Sequence, residues 1–250
     1  MPEPIRPLSP FCLREEPFHP PQFLIESWLP SCEVSLFGGP SGSGKSRLLF
    51  DMLLRWQKGD TVFGKRSNPV PWIYVSADRS EDSVHRTLDS MGIDSKEVPL
   101  LPGFDMGLDD ANYLLDEIQR SKAQLAVVEA YGSFVNPPGN SKCVKQFIMR
   151  CRKFMRETGT TILGVMESPK LKPFERYELA RQRISGAAGW GHYSETIFLL
   201  EPTDLKNAED PRRTLHICPR NGPAEIIELT FNLQGHLVPI KPYERYGMTM

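Results

Sequence analysis

Eight consecutive residues, Gly39-Pro-Ser-Gly-Ser-Gly-Lys-Ser46, constrain this chain more than any other stretch. They spell G-x-x-x-x-G-K-S. Glycines at Gly42 and Gly44 let the backbone curl so that several amide N–H groups point inward at phosphate oxygens. Lys45 brings an ammonium to the outer phosphates, and the Ser46 hydroxyl is the expected Mg2+ ligand. The flanks agree with this reading. Glu33 to Phe37 reads as a short buried strand, and Arg47 to Trp56 as a helix with an apolar face whose N-terminus favours an anion. A glycine-rich turn without a ligand is the bland alternative. Strand before and helix after favour a site for a nucleoside triphosphate with Mg2+.

Length and composition permit that fold. The 250 residues suffice for one large α/β domain with appendages, and 40% apolar with 24% charged residues fit a soluble globular protein. No stretch is long and apolar enough for a membrane span, and no signal-peptide pattern opens the chain, so a cytoplasmic location is expected. The five cysteines form no C-x-x-C pair and read as reduced thiols. A net charge of −1 argues against a basic coat for nucleic acid, but not against a local basic channel.

Residues 1–30 hold eight prolines and are expected to form an extended arm. The ATPase core is expected over 31–242 and a tail over 243–250. Strands are predicted at Trp72–Ser76, Gln124–Val128 and Thr160–Met166, and helices at Ser80–Met91, Asp109–Ser121 and Val144–Glu157. From Thr196 onward the pattern turns to short strands. Alternating β and α followed by a run of strands predicts an α/β fold: a mostly parallel central sheet flanked by helices, with C-terminal antiparallel strands.

Strand ends supply the other candidates. Asp78 follows the Trp72 strand, where it can polarise an attacking water or simply cap the next helix. Glu129 ends the Gln124 strand, where an acid can hold Mg2+ through water or be a plain strand-end acid. Between Ser168 and Arg183, Lys170, Lys172, Arg176 and Arg181 interleave with Phe174 and Tyr177. That mixture suits a single-stranded nucleic-acid groove, or else a solvated charged loop. Arg220, on a turn after a strand, can reach a neighbouring subunit's phosphate or be an ordinary surface arginine.

The order of these motifs resembles the RecA-like ATPase core, and within it the compact RepA-type branch related to hexameric replicative helicases and the KaiC group. The resemblance spans about residues 24–232. It runs through Phe23-Leu-Ile-Glu-Ser-Trp-Leu29, the phosphate loop, Tyr74 to Asp82, Ala126-Val-Val-Glu129, Arg156 to Leu163, Arg183-Ile-Ser-Gly-Ala-Ala188 and Arg220-Asn-Gly-Pro223. It implies ATP bound by Gly39, Pro40, Ser41, Gly42, Ser43, Gly44, Lys45, Ser46 and Arg47. It implies Mg2+ held by Ser46 and Glu129, and catalysis by Lys45, Asp78, Glu129 and Arg220. It further implies a homo-oligomeric ring, commonly hexameric, with single-stranded DNA meeting Lys170, Lys172, Arg176 and Arg181. The chain departs from the family at Asp78 (a glutamate there), Glu129 (an aspartate), Met166 and Glu167 (sensor histidines) and Cys218 (a lysine). Those departures leave open a nucleotide-gated assembly protein with slow turnover. A small-molecule kinase is a further alternative, for which the chain shows no arginine-rich lid.

Overall fold

A computed structural model of the chain describes residues 22–107, 110–137, 139–168, 189–204, 207 and 209–240. The chain opens with a small hairpin, β1 (Phe23–Ile25) and β2 (Leu29–Pro30), paired antiparallel. Then follow β3 (Val34–Gly39), α1 (Lys45–Gln57), β4 (Trp72–Val75), α2 (Glu81–Ser90), β5 (Leu100–Leu101), α3 (Ala111–Ser121), β6 (Leu125–Val128), α4 (Ser141–Thr158) and β7 (Thr161–Glu167). After the next described segment, α5 (Gly189–Tyr193), come β8 (Thr196–Pro202), β9 (Arg212–Pro219), β10 (Glu225–Phe231) and β11 (Leu237–Pro239).

Nine strands make one sheet in the order β11-β10-β9-β8-β3-β7-β6-β4-β5. The six strands from β8 to β5 pair in parallel, and β9, β10 and β11 extend the sheet antiparallel. This is the architecture expected from the sequence. The phosphate-loop strand β3 lies between β7 and β8, and β7 separates it from β6.

The central strands are buried on both faces, as their unbroken apolar runs require. Side chains alternate between two cores. In β6, Leu125 and Val127 join the core that also holds Leu48, Phe50, Trp56 and Val84 of α1 and α2. Ala126 and Val128 join the opposite core, with Leu114, Ile118, Phe147 and Met155 of α3 and α4. In α4 the buried residues Val144, Phe147, Ile148, Cys151, Phe154 and Met155 recur every three or four positions, one face of a helix. Asn140 caps its start, accepting from the Lys142 and Cys143 amides, and Gly159 ends it in the left-handed conformation. Gly164 lets β7 pass close to Tyr131: a Cβ there would lie 2.3 Å from a ring carbon.

The hairpin departs from expectation. Residues 24–30 were predicted to lie in the arm, yet Leu24, Ile25, Trp28 and Leu29 are core residues. Trp28 is fully buried; its indole N–H donates to Glu225 Oε1 at 3.0 Å, and Lys65 Nζ sits 5.2 Å over its ring. The prolines set the composition of this region, but the short apolar run Phe23 to Leu29 carries an aromatic anchor, Trp28, that belongs to the core. The rest of the arm, 1–21, and the tail lie outside the described residues.

Candidate functional site

Parallel pairing of β3, β4, β6 and β7 brings their C-terminal ends to one edge of the sheet, where open α/β sheets place ligands. Backbone bonds lock those ends together. Ser168 N–H donates to the Gly39 carbonyl at 3.1 Å, and Glu129 N–H to the Val75 carbonyl at 2.9 Å. Above them opens a cleft of roughly 590 Å3, lined by Ser41, Gly42 and Gly44 to Arg47 of the loop and helix start and by Asp78, Arg79, Glu129, Met166, Glu167 and Phe231.

The loop between β3 and α1 is shaped for close approach. Gly42 and Gly44 have positive φ, and no side chain caps α1, so its first amide groups stay available to a ligand. A Cβ on Gly44 would lie 2.7 Å from Cζ of Phe231. Lys45 folds back onto its own loop, donating to the Gly39 and Pro40 carbonyls at 2.9 and 3.1 Å. Burial lowers its ammonium below the ordinary lysine range; the charges of Glu167, Glu129 and Asp78 oppose that shift.

Ser46 and Glu129, distant in sequence, meet here: Ser46 Oγ donates to Glu129 Oε1 at 2.7 Å. Two adjacent hard oxygen donors suit Mg2+, which needs only one or two protein oxygens when phosphates and waters complete its shell. Consistently, no cluster of three or more His, Cys, Asp or Glu residues forms a metal cage among the described residues. The donor set therefore fits a metal brought in with a nucleotide.

Asp78 lines the same cleft, and its alternative reading as a helix cap fails: Ser80 caps α2, accepting from the Ser83 amide at 3.4 Å. Burial raises the Asp78 carboxyl above its ordinary value; Glu129 adds to the shift and Arg79 opposes it.

Two cleft residues, Arg79 and Phe231, and one residue that braces the loop, Arg213, escaped the sequence reading. Arg79 forks onto Glu129, with Nη2 at 2.8 Å from Oε1 and Nε at 3.1 Å from Oε2; Nη2 also lies 3.3 Å from Ser46 Oγ. The signal was an unpaired-looking base beside Asp78, with Glu129 lacking an assigned partner. Arg213 of β9, nearly buried, donates through Nε to the Ser43 carbonyl at 3.1 Å and stacks over Phe231 at 5.1 Å. Nothing local in the sequence links either Arg213 or Phe231 to a loop some 170 residues earlier.

Arg47 turns to other elements, donating to the Gly235 carbonyl at 3.3 Å and to Ser90 Oγ at 2.7 Å. Arg220 is not at this edge. It follows β9, whose end pairs with the start of β8, so it sits at the opposite edge of the sheet. There it pairs with Glu195 at 3.3 Å and donates to the His192 and Ser194 carbonyls. Lys170, Lys172, Arg176 and Arg181 lie outside the described residues.

A family model described as an AAA domain matches residues 2–172. Among solved structures, a KaiC-like protein of Pyrococcus horikoshii is similar with a TM-score of 0.58 and 16% identity, over 86% of this chain and 94% of that one. The ATPase domain of G40P is similar with a TM-score of 0.64 and 10% identity, over 84% of this chain and 85% of that one. No curated protein matches the sequence. With the family model covering more than half of its length, the chain belongs to the AAA domain family, built on the fold of RecA-like phosphate-loop ATPases.

Proposed function

We propose that the chain hydrolyses ATP in an oligomeric ring and uses the turnover to move on or remodel single-stranded DNA. One observation carries the hydrolytic part. Lys45, the Ser46–Glu129 pair and the acid Asp78 converge on a single cleft at the C-terminal strand edge.

The residues divide the work by chemistry. The loop amides and Lys45 bind and orient the triphosphate and take up charge developing on it during transfer. Ser46 and Glu129 would hold a Mg2+, whose charge neutralises phosphate oxygens when bound. Asp78 orients the attacking water and accepts its proton, which its carboxylate form must be free to do. The raised Asp78 value therefore predicts turnover that falls away at a higher pH than an ordinary carboxylate would give.

Arg220 supports the oligomer. Lying at the edge opposite its own cleft, it can serve a phosphate only in a neighbouring copy. A ring of head-to-tail copies satisfies that geometry. The DNA part rests on the basic, aromatic-containing run Lys170 to Arg183 and on the resemblance of the motif order to hexameric replicative helicases.

The test measures particle mass and phosphate release together, with and without ATP and single-stranded DNA. ATP-dependent assembly with DNA-stimulated turnover, absent in Lys45→Ala, is the expected result. Turnover indifferent to DNA refutes the DNA part. A second reading, ATP-gated assembly with little hydrolysis, is favoured by Arg79 occupying Glu129. It predicts equal assembly with ATP and a non-hydrolysable analogue and negligible phosphate release.

A further inference from the structure

Most of the acceptor capacity of Glu129 is taken by donors of the chain itself. A carboxylate offers about four lone-pair sites. Oε1 accepts from Ser46 Oγ at 2.7 Å and Arg79 Nη2 at 2.8 Å. Oε2 accepts from Arg79 Nε at 3.1 Å and lies 3.4 Å from Ser76 Oγ. The position through which a hydrated metal would be held is thus already served by a cation of the chain itself.

That cation is held in place. The Ser76 hydroxyl donates to the Arg79 carbonyl at 2.8 Å and tightens the turn after β4. Arg79 Nη1 reaches Thr87 Oγ1 of α2 at 3.4 Å. Glu129 is almost fully buried and Arg79 about three-quarters so, which leaves little water to screen the pair. Guanidinium stays charged at every relevant pH, and its planar fork matches a carboxylate better than an ammonium would.

The charge pattern of the cleft gives this pairing a role. Asp78, Glu129 and Glu167 face the site alongside Lys45 and Arg47. Arg47 is engaged with Gly235 and Ser90, away from the loop. Without Arg79, an incoming triphosphate would meet an excess of negative charge unless a metal arrived with it.

We propose, on the basis that the cleft binds a nucleoside triphosphate, that Arg79 is a resident counter-ion of the phosphate site. It neutralises Glu129 while no metal is present, lets metal-free triphosphate bind, and yields Glu129 when a divalent cation enters. Arg79 and the metal then compete for one carboxylate. The affinity for nucleotide consequently depends only weakly on metal, and the cost of displacing Arg79 limits how tightly the metal is held.

The experiment titrates the full-length chain with a fluorescent ATP analogue, once in excess EDTA and once in excess Mg2+. For the wild type, the two dissociation constants should differ by only a few fold. Arg79→Gln should raise their ratio by about tenfold or more, through loss of metal-free affinity, as expected for a close, partly buried charge pair. Glu129→Gln, which keeps the shape and removes the charge, should tighten metal-free binding, because Arg79 is released to the phosphates. It also serves as the decisive variant if Arg79→Gln does not fold. An Arg79→Gln ratio equal to the wild-type ratio, or metal-free binding that weakens or stays constant in Glu129→Gln, overturns the proposal and leaves nucleotide binding intact. A wild type that binds no analogue in either condition overturns nucleotide binding and this proposal with it.

Discussion

Asp78 and Arg79 are chain neighbours of opposite charge that line one cleft, and the duties proposed for them are opposite. Asp78→Asn should lower turnover by about a hundredfold or more while leaving ATP affinity within a few fold, since general-base removal costs that much. Single-turnover kinetics beside a binding titration separates the two effects. Lys45→Ala should act on affinity first, because it removes the ammonium of the loop proposed to hold the phosphates. At Gly164 the question is space. Alanine there would drive its Cβ into the Tyr131 ring, and overpacking of this kind costs about 1–3 kcal/mol. A denaturant melt of Gly164→Ala should show that loss with no change in slope. The phosphate loop, Asp78 and Glu129 were legible in the sequence because each sits at a strand end whose apolar run announces it. Arg79 was not: its role depends on a partner 50 residues away, and side-chain pairing leaves no periodic trace.

At the scale of elements, apolar period and caps made strands and helices readable, and what failed was long-range docking. The β1–β2 hairpin is too short for a periodic signal, yet Trp28 anchors it in the core. Trp28→Ala should destabilise the fold by about 3–5 kcal/mol, measured by thermal or chemical melting, as for other buried aromatics. The β10–β11 hairpin docks on α1 through its turn. His236 Nδ1 lies 2.6 Å from Asp51 Oδ1, and the neighbouring Gly235 accepts from Arg47. Burial raises the Asp51 carboxyl above its usual value, with His236 opposing. The folded chain therefore holds that proton more tightly than the unfolded one. Stability contributed at this site is greatest below the ordinary carboxylate value and declines as pH rises through the raised one. Asp51→Asn should flatten that decline in melts recorded as a function of pH, while keeping an acceptor for the ring N–H.

For the whole molecule, the parallel sheet assigns the two ends of its strands to different tasks. One edge carries the cleft and the other carries Arg220. If copies share sites, Arg220→Ala should bind ATP normally and fail in turnover. Mixing it with Lys45→Ala should then restore part of the activity, because some interfaces combine an intact cleft with an intact arginine. Activity that stays absent at every mixing ratio would exclude a shared site. Fold class followed from the alternation of elements along the chain, whereas the order of the strands in the sheet did not. The closing of the sheet by β9, β10 and β11 around the phosphate loop was not readable, since it depends on contacts between distant segments.

Those contacts also impose an order in time. Arg213 supports Ser43 from 170 residues away, and Arg47 meets Gly235 across 188. Chains grow and fold from the amino terminus, and non-local contacts form late. A ribosome-bound chain that has exposed its phosphate loop, β4 and β6 still lacks the strands that brace that loop. The loop leaves the ribosome well before the strands that brace it, so a nascent chain that stops short of β9 carries the loop without the Arg213 and Gly235 contacts that support it in the folded structure.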